Sequence, residues 1–274
     1  VQRGGPSTGL PTKTEQSDLN QAIYGRNGEA PMVVLAAATP TDCFNMAYEA
    51  CRIALKYMIP VILLSDGYIA NGSEPWKIPD IDSLPEIETQ LTKKKEGFAP
   101  FRHDNPNLSR PWALPGTPGM EHRIGGLEKW EETGHVSYDP ENHQKMVELR
   151  QQKVDVIAND IPLAKPFGKG NGDLLVIGWG GTHGALRSAV ETAQANGMSV
   201  SHLHLRHLNP LPRNLGEILV KFQKVMIAEL NMGQLAAIIR SKFLVDAVSL
   251  NKIQGKPFTI TEVFKKITKL VKGA

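Results

Sequence analysis

Two apolar runs on either side of one amphipathic helix constrain this chain most. Pro31-Met-Val-Val-Leu-Ala-Ala-Ala-Thr39 is apolar without alternation, which suits a strand buried on both faces. Pro60-Val-Ile-Leu-Leu-Ser-Asp66 is a second such run. Between them, Thr41 or Asp42 caps a predicted helix reaching about Met58, with Phe44, Ala47, Cys51, Ala54 and Leu55 on one stripe. Strand, helix and strand within about 35 residues make a βαβ unit, so the sheet is parallel.

The second half repeats the logic. Asp173–Gly178, Val200–Leu205 and Lys224–Glu229 read as strands. Helices are predicted over Ala185–Ala195, Leu215–Phe222, Gly233–Leu244 and Ile260–Lys272. Three strands alternating with helices give a small three-layer parallel domain. Between the halves, residues 72 to about 140 carry dense Pro and Gly. Phe98, Phe101, Trp112, Trp130 and Tyr138 argue against disorder there. That stretch is expected to be an ordered arm lying on a surface or a partner, followed by a helix from Asp139 to about Asn159. The class is therefore α/β, divided into 1–71, an arm and linker helix over 72–160, and 161–274.

Composition removes several functions. Net charge is +3 over 274 residues, with acids and bases interspersed, too weak a bias for nucleic acid. No run of about 18 apolar residues exists, so no membrane span is expected. The only cysteines, Cys43 and Cys51, lie eight apart in one predicted helix, unsuited to a disulfide or a CxxC metal motif. They cannot hold an iron–sulfur cluster, which takes about four thiolates. The expectation is a reduced, cytoplasmic protein.

The first residues carry the densest chemistry. Arg3-Gly4-Gly5-Pro6-Ser7-Thr8-Gly9 offers a guanidinium, backbone N–H groups and two hydroxyls, an anion clamp for carboxylate or phosphate. The same composition also describes a Gly-rich turn with a surface arginine. Such a loop does not open a natural domain, so the chain is expected to be the C-terminal part of something larger. Glu121-His122-Arg123 is either a second anion contact or a salt-bridged loop. Gly178-Trp-Gly180-Gly181-Thr-His183-Gly184 follows a strand, but lacks the glycine offsets of a dinucleotide loop and the acid about 20 residues on. A tight strand-to-helix turn, able to touch an anion at the helix N-terminus, is the better account. His202 and His204 share a strand face, but neither they nor His207 has a partner to complete a tetrahedral metal site. They read as surface or interface histidines, and no metal ligands are assigned. Asp66, at a strand end, reads as a cap or a site residue.

At the N-terminal loop a family resemblance becomes specific. The run Gln2-Arg-Gly-Gly-Pro-Ser-Thr-Gly-Leu-Pro-Thr-Lys-Thr-Glu-Gln-Ser-Asp-Leu19 resembles the α subunit of the 2-oxoacid:ferredoxin oxidoreductases, most closely the 2-oxoglutarate type. Further matching segments are Gly25-Arg-Asn-Gly-Glu-Ala-Pro31, Pro60–Gly67, Arg110-Pro-Trp-Ala113, Pro115–Gly119, Glu121–Glu128 and Gly134–His143.

The resemblance implies a partial thiamine pyrimidine-binding domain, then a transketolase C-terminal-like domain. It implies thiamine diphosphate and Mg²⁺ shared with a β subunit, an iron–sulfur cluster on that partner, CoA as co-substrate and ferredoxin as acceptor. A homodimer of such heterodimers is a possible assembly. It places Arg3 on the 2-oxoacid carboxylate; beside it Ser7 and Thr8 are read as shaping the same wall, and His122 and Arg123, from the charges flanking the histidine, as contacts for a second carboxylate or as a gate to the site. No residue of this chain is implied in proton transfer. The family's Tyr-Pro-Ile-Thr-Pro segment and its activating glutamate precede the Arg-Gly-Gly-Pro loop and are not in this sequence. Activity is therefore expected to need more than this chain. A non-catalytic assembly module of the same complex is the alternative.

Overall fold

The computed structural model describes every residue except Gln90, Lys93 and Ala274. The first strand, β1 (Val33–Ala36), is fully buried, as its unbroken apolar run requires. It pairs in parallel with β2 (Val61–Leu64). Between them runs α2 (Asp42–Tyr57), which ends where Met58 turns left-handed at φ 47°. A short α1 (Leu19–Tyr24) precedes this unit and α3 (Gly67–Asn71) follows it.

The second half holds a four-stranded parallel sheet in the order β4-β3-β6-β7. Its strands are β3 (Gly172–Trp179), β4 (Val200–Leu205), β6 (Phe222–Glu229) and β7 (Ala247–Asn251). The helices are α5 (His183–Ala195), α6 (Leu215–Leu219), α7 (Gln234–Phe243) and α8 (Ile260–Lys272). Strand β7 was not expected. Its five residues are only partly buried along most of their length, so no apolar run marks it. The helix expected to reach Phe222 stops at Leu219, and Phe222 already belongs to β6.

A second unforeseen element joins the halves. Strand β5 (His207–Asn209) lies in the later sequence yet pairs antiparallel with β1, giving the first sheet the order β2-β1-β5. Side-chain alternation then builds the core. Val34 and Ala36 face a cluster that includes Leu175, Ile177, Trp179, Leu203 and Ile227, together with residues of α1, α6 and α7. Val33 and Leu35 face α2 with Ile157. Leu174 and Val176 face α5 and α8. One apolar cluster thus spans both sheets. Each aliphatic side chain fully buried in it contributes about 1.5–3 kcal/mol.

Parts of the arm pack against α2. The Phe44 and Trp76 rings sit 5.4 Å apart, Trp112 Nε1 donates to Leu55 O at 2.9 Å, and the Tyr48 hydroxyl donates to Pro85 O. It leads into α4 (Pro140–Ile157), which Asp139 caps by accepting the Asn142 N–H at 2.8 Å. No helix among the described residues is long and apolar enough to cross a membrane.

Candidate functional site

The carboxyl ends of both sheets converge on the N-terminal segment. Gln2 N–H donates to Ser65 O at 2.7 Å, and Gly67 N–H donates back to Gln2 O at 2.9 Å, so the segment runs beside the chain leaving β2. Gly4 N–H to Lys13 O and Leu10 N–H to Gly4 O, both 2.9 Å, close the loop. Ser7 adopts φ 53° and Gly9 φ 48°. A Cβ on Gly9 would lie 2.2 Å from Gly4 O, so only glycine fits there.

Arg3 holds this loop from inside. Its Nη1 donates to Gly4 O at 2.9 Å and Thr8 O at 2.8 Å, and its Nη2 donates to Ser7 O. A guanidinium has five N–H donors. Three are spent on the loop, and Nε–H and one Nη2–H have no acceptor among the described residues, which leaves donors for a carboxylate. With three carbonyls turned inward, the N–H groups of Gly5, Ser7, Thr8 and Gly9 have no hydrogen-bond acceptor among the described residues. The Ser7 and Thr8 side chains are exposed.

His122 and Arg123 stand in a different neighbourhood. The His122 ring packs edge-on to Phe98 and Phe101, at 5.6 and 6.5 Å, with Nδ1 2.8 Å from Met120 O. Arg123 is exposed and makes no ion pair among the described residues. No hydrogen bond or ring contact among those residues joins them to the Arg3 loop.

Sequence reasoning missed the residues that hold the loop in place. Gln16 Nε2 donates to Trp179 O at 2.7 Å and its Oε1 accepts from Leu230 N–H at 2.8 Å. Trp179 ends β3, and Leu230 follows β6. These neighbouring strands lead to opposite sides of the sheet, so the crevice between them is where ligands of open α/β sheets bind. Here the chain's own Gln16 fills it. The Gly180–Thr182 turn is a 3₁₀ turn that bears no nucleotide fingerprint. A Cβ on Gly180 would lie 2.7 Å from Gln16 Nε2, and one on Gly181 would lie 2.6 Å from Asp66 Oδ1. The anion at this turn is Asp66 itself. It accepts from Thr14 Oγ1 (3.1 Å), Tyr68 N–H (3.0 Å), Ile69 N–H (3.2 Å) and Gly181 N–H (2.6 Å).

Glu229 plays the same part for α7. Wholly buried, it accepts from the N–H groups of Leu235 and Ala236, from Asn231 Nδ2 and from Trp179 Nε1. Burial raises its pKa despite these donors. Glu15, beside Gln16, is only 8% exposed and has no hydrogen-bond partner among the described residues. Further out, Arg206 pairs with Asp42 at 2.8 Å, and Glu49 binds Arg52 and His207. Burial opposes ionisation of Glu49, but these two partners outweigh it and bring its pKa to about 2.

The histidines correct the surface reading. His202 is 2% exposed and His207 is also buried. His183, from the start of α5, comes within 5.8 Å of the His202 ring and 4.9 Å of the His204 ring. Desolvation, then His183 and Arg187, push His202 down to about 3, and burial lowers His204 strongly as well. The trio is neutral at pH 7. Among the described residues, no group of three His, Cys, Asp or Glu is arranged to hold a metal ion.

This arrangement of a glycine-rich loop, two largely parallel sheets and a shared core belongs to a known class. Residues 1–140 match the thiamine diphosphate-binding domain of the pyruvate flavodoxin/ferredoxin oxidoreductases, and residues 172–263 match core domain II of pyruvate:ferredoxin oxidoreductase. The chain belongs to this oxidoreductase family. It is 53% identical over 274 residues to the 2-oxoglutarate oxidoreductase subunit KorA of Mycobacterium tuberculosis, covering 100% of this chain and 42% of that protein. It is 32% identical to subunit alpha of the 2-oxoacid:ferredoxin oxidoreductase 1 of Aeropyrum pernix, covering 99% of this chain and 44% of that one. The 2-oxoglutarate:ferredoxin oxidoreductase of Magnetococcus marinus, solved with 2-oxoglutarate, coenzyme A and succinyl-CoA bound, superposes with a TM-score of 0.94 at 34% identity. That match covers 99% of this chain and 48% of the other. The chain thus spans less than half the length of these relatives.

Proposed function

We propose that the chain belongs to the α subunit of a thiamine diphosphate-dependent 2-oxoglutarate:ferredoxin oxidoreductase. The whole enzyme oxidatively decarboxylates the 2-oxoacid, forms acyl-CoA and passes two electrons to ferredoxin. The 53% identity, over the whole of this chain, to a KorA subunit supports this reading. The observation that carries it is the Arg3 loop, whose guanidinium keeps two adjacent donors free after organising three carbonyls of its own loop.

In this reading residues 1–71 belong to the pyrimidine-binding half, 72–160 are the arm and linker helix, and 161–274 are domain II. Arg3 orients the 2-oxoacid through its carboxylate and balances charge there. Ser7 and Thr8 shape that wall, and His122 and Arg123 form a separate contact in the assembled enzyme. Bound thiamine diphosphate supplies the carbanion chemistry that decarboxylation requires. The loop N–H groups that have no acceptor among the described residues suit an anionic ligand. Neither Asp66 nor Glu229 is free to replace the family's activating glutamate, because each is occupied by four donors. A β subunit holds Mg²⁺, the diphosphate and the iron–sulfur cluster. Cys43 and Cys51 provide two thiols on one helix where a cluster takes about four. Unpaired thiols also fit a cytoplasmic location.

A second reading, an assembly module, is favoured by the arm. Ile78, Ile81, Ile124 and Tyr138 are all more than three-quarters exposed, an apolar display that suits a partner surface. Activity separates the two readings. The full-length α subunit is mixed with its β subunit and assayed for 2-oxoglutarate- and CoA-dependent viologen reduction. Arg3→Ala is expected to lower kcat/KM by about 10²-fold, the worth of a lost charged hydrogen-bond pair, with the α–β complex intact. Arg3→Lys is expected to restore only part of it. Full turnover by Arg3→Ala in a stable complex would leave the assembly reading.

A further inference from the structure

The loop that leaves β7 carries one buried residue between two exposed ones. Gln254 and Lys256 are exposed, whereas Gly255 is buried. A residue without a side chain is buried only when another segment lies on its backbone. Here that segment is the closing turn of the Arg3 loop. A Cβ on Gly255 would lie 2.8 Å from Lys13 Cβ and 3.0 Å from Leu10 Cδ1. Gly255 also adopts φ 63°, a second reason for glycine.

Both sides of this contact are held. Lys252 N–H donates to Glu229 O at 3.1 Å, which anchors the loop to the end of β6. Its Nζ then spans the loop, donating to Pro257 O at 2.9 Å and to the two oxygens of Glu262 at 2.9 and 2.8 Å. Glu262 in turn shares a reciprocal cap with Thr259 at the start of α8. On the other side, the residues that Gly255 touches are the ones that close the Arg3 loop. Lys13 O accepts the Gly4 N–H, and Leu10 N–H donates to Gly4 O. That same Gly4 carbonyl accepts from Arg3 Nη1.

We propose that Gly255 is a positioning residue for Arg3: the braced loop after β7 bears on Leu10 and Lys13, and so sets where the guanidinium stands. The domain that holds β7 then takes part in substrate placement, an inference that rests on the reading of Arg3 as the carboxylate contact. Side-chain rotation cannot absorb an alanine at 255, because Lys13 Cβ is fixed to its backbone and the Lys252 brace resists retreat of the loop. The Lys13 peptide has to move, and Gly4 with it. A displacement of about 1 Å at an orienting group is enough to cost about 10²-fold in rate.

The test compares Gly255→Ala with Gly197→Ala in the full-length α–β enzyme. Gly197 has φ 78° and nothing within 4 Å of an added Cβ, so it carries the backbone strain without the contact. Amide hydrogen exchange is expected to quicken at Gly4, Leu10 and Lys13 in Gly255→Ala and not in Gly197→Ala. In the same variant kcat/KM for 2-oxoglutarate is expected to fall about tenfold or more, with the KM for CoA unchanged. In an Arg3→Ala background the added loss should vanish, because the two changes act through one group. Should Gly255→Ala fail to fold, Lys252→Met releases the brace without adding an atom and is read in the same way. Unchanged exchange in the Arg3 loop, equal losses in Gly197→Ala, or a full further loss in the Arg3→Ala background would overturn the proposal. A parent enzyme inert toward 2-oxoglutarate would refute the substrate reading of Arg3, while the exchange pattern would still decide whether Gly255 holds its loop.

Discussion

Asp66 Oδ2 accepts the N–H of Gly181 at 2.6 Å across 115 residues of sequence. This bond ties the end of β2 to the turn after β3, and the Arg3 loop is built against it. Because the turn closes on a buried carboxylate, position 181 tolerates no side chain. Gly181→Ala is expected to cost about 2–4 kcal/mol by driving a methyl into Asp66. Asp66→Asn is expected to cost a similar amount, since its amide N–H₂ would face donors. Urea unfolding checks both. A cost below about 0.5 kcal/mol for Gly181→Ala would mean that the turn relaxes away from Asp66.

Glu229 caps α7 from beneath rather than from the preceding residue. Glu229→Gln keeps the shape but places an N–H₂ against backbone N–H groups. A loss of about 2 kcal/mol is expected. Amide hydrogen exchange should show the loss first at Leu235 and Ala236. Uniform acceleration with no preference for the first turn of α7 would count against the cap.

Acid should weaken the fold through the histidine trio. His202 is held at about 3 in the folded protein, against about 6.5 when unfolded. Between those values the unfolded chain binds the proton and the folded chain does not. Stability therefore falls as pH drops below about 6.5, by up to about 1.4 kcal/mol per pH unit for this one group. His202→Leu should flatten that slope between pH 6.5 and 4, read from urea midpoints. Glu49 adds its own loss at lower pH. Its ion pairs contribute fully above the unfolded carboxyl range and disappear as pH falls toward about 2. An unchanged slope in His202→Leu would remove the trio from this account.

The two thiols should react at different rates. Cys51 is exposed on α2. The Cys43 pKa is raised, first by burial and then by Asp42, Asp66 and Glu74. Iodoacetamide at pH 8 is expected to label Cys51 first, with peptide mass spectrometry reading the order. Equal labelling would mean that Cys43 is less shielded than the fold shows.

Much of the architecture was legible because it rests on local periodicity. The buried runs of β1 and β2, the stripe of α2, the Asp139 cap of α4 and the span of α8 each announce themselves within one window. The aromatic residues that interrupt the prolines of the arm include Trp76 and Trp112, which meet α2. Strand β5 was not legible, since three residues around His207 carry no pattern and gain their meaning from β1, far back in sequence. Nor was β7, an edge strand with little burial. Arg3, Ser7 and Thr8 stood out through loop composition, but nothing in it told that Arg3 would spend three donors on its own carbonyls.

The sequence by itself determined the longer helices, the buried strands and their parallel pairing, the glycine-rich loop and the family resemblance, because these depend on neighbours within a few residues. The tertiary structure alone decided that Gln16 fills the crevice of the second sheet and that Asp66 is the anion at the Gly180–Thr182 turn. It also decided that His183 joins His202 and His204. Each of these pairs a polar group with one brought close only by folding. Burial then turns that meeting into chemistry, because a charge or a lone pair taken out of water must find its partner inside the protein or bring one in.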